Sequence, residues 1–553
     1  MQERVTIYGM MLLAVVSCGV AVCAAEPAVV GSISASIDRE IATALKSRAL
    51  EPAPRATDGE LVRRIYLDLL GRIPTPTEID AFHELPGSDR SHGLIDALLA
   101  HEEFPVYWRG VFDDWLNGGA LERDFGREGF LQFLQTALTE NRPWNEIARQ
   151  LLAPDVTREE ERGSAYFLAL RLRGDGGERL DNMTMAVATG LFGLQLQCAK
   201  CHDHPFVDEL KQDHYYGLAA FFGRTQEAKY REFPLVKERA EGEVSFTTKS
   251  KEEKSARLLF LDNHEIAEPE RPTDKNAWYV KGSDGLPDAP YFSRRQALAE
   301  YALRADSAYF KRALVNRVWK QLLGRGLVEP VDQMHTANPA THPAVLDLLA
   351  DDFAASGFDI RRLMAAILHS ETYLRSTRWE TSGELPRAGL YAVGVLKPLS
   401  PEQLVLSMHQ ASGSLEPLRA KVARELKDQT PLAIAVRMQL GRDRDWQDFA
   451  QRFRNQSEGF EATAAQALFL SYHSLASKPL QPRQGNLVER LIKQKDDEAA
   501  VREAYRNILC RAPTEQELLS ATDFLKDSST KRETLAWDLA WALLCSAEFR
   551  FNY

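Results

Sequence analysis

Cys198, Cys201, His202 and His204 lie within seven residues and hold the types and spacing best suited to chemistry in this sequence. Two thiols one turn apart, with a histidine directly after, form the C-x-x-C-H pattern of c-type haem attachment. The spacing suits that chemistry. Sulfurs one turn apart reach the two vinyl groups, and the adjacent imidazole reaches the iron from one face.

The same residues suit two other chemistries. Cys198, Cys201, His204 and His214 make a ligand set for tetrahedral zinc. In an oxidising compartment Cys198 and Cys201 could instead form a disulfide. Haem c, zinc and a disulfide therefore stand as three readings of one motif. If haem is held, His204 lies too close to His202 to reach the opposite face. The second axial ligand then falls to Met183, Met185, His214, Met334, His335 or an open position.

The elements that must position these side chains are helical. Met183, Val187, Leu191, Leu194, Cys198 and Cys201 step by four, four, three, four and three, which puts both sulfurs on the continuation of one apolar stripe. Pro205 disfavours helix at His204, so the helix is expected to end in or just after the motif. Tyr215, Leu218 and Phe222 make a second stripe that would wall the site. Gly190 and Gly193 weaken a helix and would admit either a flat ring or a neighbouring helix at close range.

Met1–Ala25 reads as an export signal, with a short basic start at Arg4, an apolar run through Val22 and small residues before the cleavage point. Val15-Val16-Ser17-Cys18 also passes as a weak lipobox, but apolar residues follow Cys18, and soluble export to the periplasm or cell envelope fits better. No later stretch is apolar for the 18 or so residues of a membrane span. The full chain of 553 residues carries a net charge of −11. Removing one Glu and one Arg with the signal leaves that charge unchanged. An acidic chain without a basic block argues against nucleic acid as a partner. Cys510 and Cys545 sit in apolar helical patterns and read as buried thiols.

A mainly all-α protein is expected, built from repeated three-helix units with a small β-rich insert. Arg63, Tyr66, Leu70, Arg72, Thr75 and Glu78 recur as Arg502, Tyr505, Leu509, Arg511, Thr514 and Glu517. Ala97-Leu98-Leu99 with Glu103-Phe104 recurs as Ala542-Leu543-Leu544 with Glu548-Phe549. Leu322-Leu323-Gly324-Arg325 with Ala366-Ile367-Leu368 and Ser370-Glu371 is a fainter third copy. Thr75-Pro76-Thr77-Glu78 is a capping box with proline at the first helical position. Arg173-Gly174-Asp175 contains an adhesion tripeptide but reads as a glycine-rich turn. The expected divisions are 26–224, a β-rich insert or arm at 225–292 with strands near Glu243–Thr248 and Arg257–Leu261, and 293–553. The proline-rich loop from Gly326 to Pro343 is a second place for a site.

Leu196-Gln197-Cys198-Ala199-Lys200-Cys201-His202-Asp203-His204-Pro205-Phe206 resembles the hallmark of the planctomycete cytochrome-C-associated domain (domain of unknown function fifteen-forty-nine). Asn316-Arg317-Val318-Trp319, Gly324 to Pro330, and Asn338-Pro339 with His342-Pro343 resemble its usual partner, domain of unknown function fifteen-fifty-three. The resemblance covers roughly Glu60–Thr225 and Ser293–Tyr553. It implies an exported protein of a planctomycete-like bacterium and implies no particular activity. Many members carry a separate cytochrome-c-like domain, which this sequence does not show, so its haem candidate is the motif itself. Val207-Asp208-Glu209-Leu210 departs from the family pattern by one extra residue and a missing tryptophan.

Three functional classes follow. The first is a periplasmic redox protein with one covalent haem and a redox partner protein. The second is a helical scaffold stapled by zinc. The third is a hydrolase or other metalloenzyme, for which no nucleophile elbow, zincin motif, Walker loop or dinucleotide fingerprint is present.

Overall fold

The computed structural model of the chain describes residues 27–86, 89–118, 126–231, 233–380, 383–427, 430, 434, 438 and 477–553. The export signal and Cys18 lie outside the described residues. Helices dominate, and the strands pair only into small two-stranded sheets. No described helix is long and apolar enough to cross a membrane.

The N-terminal unit consists of helices Asp58–Leu70, Pro76–Glu84 and Arg90–Leu99. Thr57 and Thr75 each close a capping box with the glutamate three residues on, so both helix starts are set by side chains the sequence displays. The C-terminal unit, Asp497–Ile508, Glu515–Leu525 and Arg532–Leu544, repeats the arrangement with Thr514 and Glu517. In the third copy Glu371 pairs with Arg55 instead of Arg325, and the likeness stops at the helices.

Both halves of the chain share one apolar core. The first helix, Pro27–Lys46, packs against Pro343–Ala355 and Ile360–Leu368 from far along the chain, burying Ile37, Ile41 and Leu45. Phe551–Asn552 pairs with Lys397–Pro398, and Asn552 reaches back to Asp68. Asp68 also takes hydrogen bonds from Tyr373 and Lys397 deep inside. Burial pushes the Asp68 carboxyl up and the Lys397 ammonium down, and their mutual attraction opposes both shifts.

The insert is β-rich as expected. Thr225–Tyr230 pairs with Phe233–Glu238, Ser245–Thr247 with Glu253–Ser255, and Tyr279–Val280 with Ala289–Pro290. Arg257–Leu261 is not a strand. It makes one isolated bridge, Leu259 to Glu265, inside a tight turn in which the Phe260 N–H donates to the His264 carbonyl and the Ile266 N–H to the Leu258 carbonyl, while Leu258 to Leu261 are buried.

Candidate functional site

The helix leading to the motif is Gly176–Phe192, and it stops six residues before Cys198. Its start is Asp175, whose carboxylate accepts from the Gly177 and Glu178 N–H groups, so the aspartate of Arg-Gly-Asp serves as a helix cap. Its end is Gly193, left-handed at φ +66°. Any Cβ there would lie 2.9 Å from the Met334 Sδ, so the turn and its close neighbour both require glycine. Gly193 thus serves the turn, whereas a Cβ at Gly190 would make only an ordinary contact of 3.7 Å with Leu116.

This early stop corrects the expected stripe. Met183, Val187, Leu191 and Leu194 are buried, but the left-handed turn resets the phase, and Cys198 and Cys201 face solvent. A separate 3-10 turn, Cys198–Lys200, carries them. Leu196 and Ala199, three apart and fully buried, anchor that turn and leave Gln197, Cys198, Cys201 and His202 outside. Cys198 and Cys201 are free thiols, as are buried Cys510 and half-buried Cys545.

Residues with no sequence signal hold the loop. The buried Gln212 side chain donates to the carbonyls of Lys200, Cys201 and Thr247, at 3.3, 3.5 and 3.3 Å. The Asp203 carboxylate accepts from the Gln212 N–H at 3.0 Å. Lys200 pairs with Asp181 at 3.2 Å, and Tyr215 donates its hydroxyl to the same carboxylate. Burial and Asp181 raise the Tyr215 pKa, so it stays a donor. Tyr216 beside it stacks on Phe246 of the insert.

The histidines divide sharply. His202 is exposed, and its Nδ1 lies 2.7 Å from the Asp203 carbonyl oxygen. A carbonyl only accepts, so Nδ1 carries the proton and Nε2 is the nitrogen left for a ligand bond, the tautomer a ligand imidazole needs. His214 is buried, accepts at Nδ1 from the Lys211 N–H, and has Nε2 2.9 Å from the Asn263 amide oxygen. Both of its nitrogens are used. His204 accepts at Nδ1 from the Phe206 N–H, within a loop closed by its own N–H on the Leu210 carbonyl.

The proline-rich loop of the C-terminal half closes on the motif, joining the two places the sequence singled out. Met334 N–H donates to the Gly193 carbonyl, Leu194 bridges Gln333, and Gln195 donates to Asp332. Glu209 accepts from the N–H and the hydroxyl of Thr336. His335 comes within 6.2 Å of His204, ring to ring. Burial lowers the His335 pKa and His204 lowers it further, against the raising effect of Glu209. Met183 and Met334 are buried, which takes them away from the outward face of His202, and Met185 is half-buried.

Among the described residues, no three His, Cys, Asp or Glu side chains gather into a metal-binding group. The zinc set is therefore not assembled: His214 is sealed in the core and committed on both nitrogens. A haem needs less from the fold on its attachment side. Two exposed thiols, and a histidine whose outer nitrogen is open, fit it.

Two family models match, one on either side of the insert. Residues 36–227 match PSCyt2, a protein of unknown function (DUF1549), and residues 294–525 match PSD1, a protein of unknown function (DUF1553). The chain belongs to this two-domain family. The first match holds the N-terminal unit and the motif, and the second holds the loop that closes over it, so the site is built from both domains. No curated protein and no solved structure matches the chain.

Proposed function

We propose that this family member is an exported c-type haem protein that passes electrons to a partner protein. Cys198 and Cys201 carry the thioether bonds and His202 supplies the proximal ligand. The observation that carries this reading is the combination of two exposed free thiols with a His202 ring whose Nδ1–H is fixed on the Asp203 carbonyl oxygen. The haem, when bound there, supplies reversible one-electron transfer.

The chain's own residues do the rest. Gln212 and Asp203 hold the backbone of the attachment loop, so the thiols and the imidazole are presented with little reorganisation. Lys200 and Asp181 neutralise one another beside the cysteines. Export to an oxidising compartment, which the N-terminal sequence suggests, is where thioether attachment occurs.

The test is a redox titration of protein expressed with haem-attachment machinery. A single reversible one-electron wave is expected, shifted by His202→Met. Protein that binds no haem, or a wave that His202→Met leaves unmoved, would end this reading.

A further inference from the structure

The internal duplication supplies a template against which the C-terminal unit can be measured. In the N-terminal unit Phe82 is 1% exposed and fills the space between its three helices. Counting from the shared Thr-x-x-Glu cap, the corresponding residue of the C-terminal unit is Ala521. The frames agree closely. Arg72 pairs with Glu78 at 2.8 Å and Glu103 at 2.9 Å, and Arg511 pairs with Glu517 at 2.8 Å and Glu548 at 2.6 Å. The arginines lie over Tyr66 and Tyr505 at 5.5 and 5.6 Å from the ring centres.

With the frame kept and the ring deleted, the C-terminal unit has a cleft of about 500 Å³ lined by Ala521 and Leu539, walled by Tyr505 and Phe524, with Ala542 on its exposed rim. Phe524 remains 42% exposed on its rim. A second change accompanies the first. Gly93, in the N-terminal unit, corresponds to Asp538, which puts a carboxylate at the cleft. Among the described residues no ion pair engages Asp538, whereas the other cleft carboxylate, Glu517, is taken by Arg511. One unit has an aromatic ring and no charge here, and the other has room for a ring and an unpaired negative charge.

We propose that this cleft binds a single-ring aromatic amine. The ring takes the place that Phe82 occupies in the sister unit, and the ammonium group faces Asp538. Apolar cavities of roughly 150 Å³ already hold a benzene ring, so the cleft has room for the ring and a short alkylamine arm. The exposed ring of Phe524 adds an attraction for the cation.

The experiment is saturation-transfer NMR on the full chain with phenethylamine as probe and neutral 2-phenylethanol as comparison. Saturable phenethylamine binding is expected, with the alcohol weaker by about fivefold, the size of one partly exposed ion pair. Asp538→Asn should remove that difference. Ala521→Phe should abolish binding of both probes by restoring the sister unit's ring. Should that variant fail to fold, Ala542→Leu on the exposed rim narrows the same cleft without entering the core and should also abolish binding. Absence of saturable binding, or binding that survives both Ala521→Phe and Ala542→Leu, would overturn the proposal.

Discussion

In the N-terminal unit Arg63 is fully buried, donates to the Phe549 carbonyl and lies over the rings of Phe549 and Tyr553. Its counterpart Arg502 has a side chain 54% exposed beside Glu498. Asp68, tied to Lys397, Tyr373 and Asn552, corresponds to Asn507, which donates to the Glu503 carbonyl on its own helix. The Thr-x-x-Glu cap of the second helix, the left-handed turn before it and the two ion pairs of the arginine are the same in both units. What surrounds a unit decides the rest. The N-terminal copy is the hub on which the last strand and the C-terminal half close, while the C-terminal copy stands at the periphery.

The comparison breaks most visibly at Asp68. Asp68→Ala leaves Lys397 buried without its partner and should lower stability by about 3–5 kcal/mol. Asn507→Ala, at the matching position, should cost less than about 1 kcal/mol. Urea denaturation of the two variants side by side measures this; equal losses would mean the two units are equally buried in solution.

The turns give the next effect. Gly71 and Cys510 occupy the same left-handed position, at φ +70° and +61°. A Cβ on Gly71 would meet the Tyr107 ring at 2.2 Å, so Gly71→Ala should cost about 3 kcal/mol through overlap and backbone strain. Cys510→Gly relieves strain of about 1 kcal/mol and loses a small buried group, so its midpoint should move little. A large loss in Cys510→Gly would show that the thiol is held by more than its contact with Arg63.

The smallest effect is in pH. Burial alone would raise the Glu103 carboxyl, but Arg72 and Arg419 overcome it and hold it at about 2. The hydrogen bond from Arg511 holds Glu517 at about 2 as well. Both lie below the ordinary unfolded value of about 4.3. Their stabilisation is complete above that value and is lost as pH falls toward 2. Melting temperatures should therefore fall between pH 6 and 2 as the two carboxyls take up protons. Glu103→Gln should flatten that drop more than Glu517→Gln, because the Glu103 side chain is 18% exposed and the Glu517 side chain 32%.

Much of this fold was legible in the sequence wherever local chemistry decided it. The capping boxes at Thr75 and Thr514, the paired arginines and the three-helix repeats all follow from residues a few positions apart. The helix end at Gly193 was also written locally, in a glycine that the apolar spacing beyond it obscured. Contacts between distant residues were not legible. Asn263 is what commits His214, Gln212 clamps the motif loop from a helix outside it, and Lys397 meets Asp68 across the whole fold. The C-x-x-C-H spacing located the site, but only the structure separated His202, open to solvent, from His214, closed in the core.

The central claim is covalent haem at Cys198 and Cys201, and the most direct measurement is the intact mass of denatured protein co-expressed with haem-attachment machinery. The account predicts a mass increase of one haem per chain that survives denaturation and disappears in Cys198→Ala/Cys201→Ala. His204→Ala should leave it intact. A colourless protein of unmodified mass, or one holding about one zinc per chain that His204→Ala releases, would contradict it.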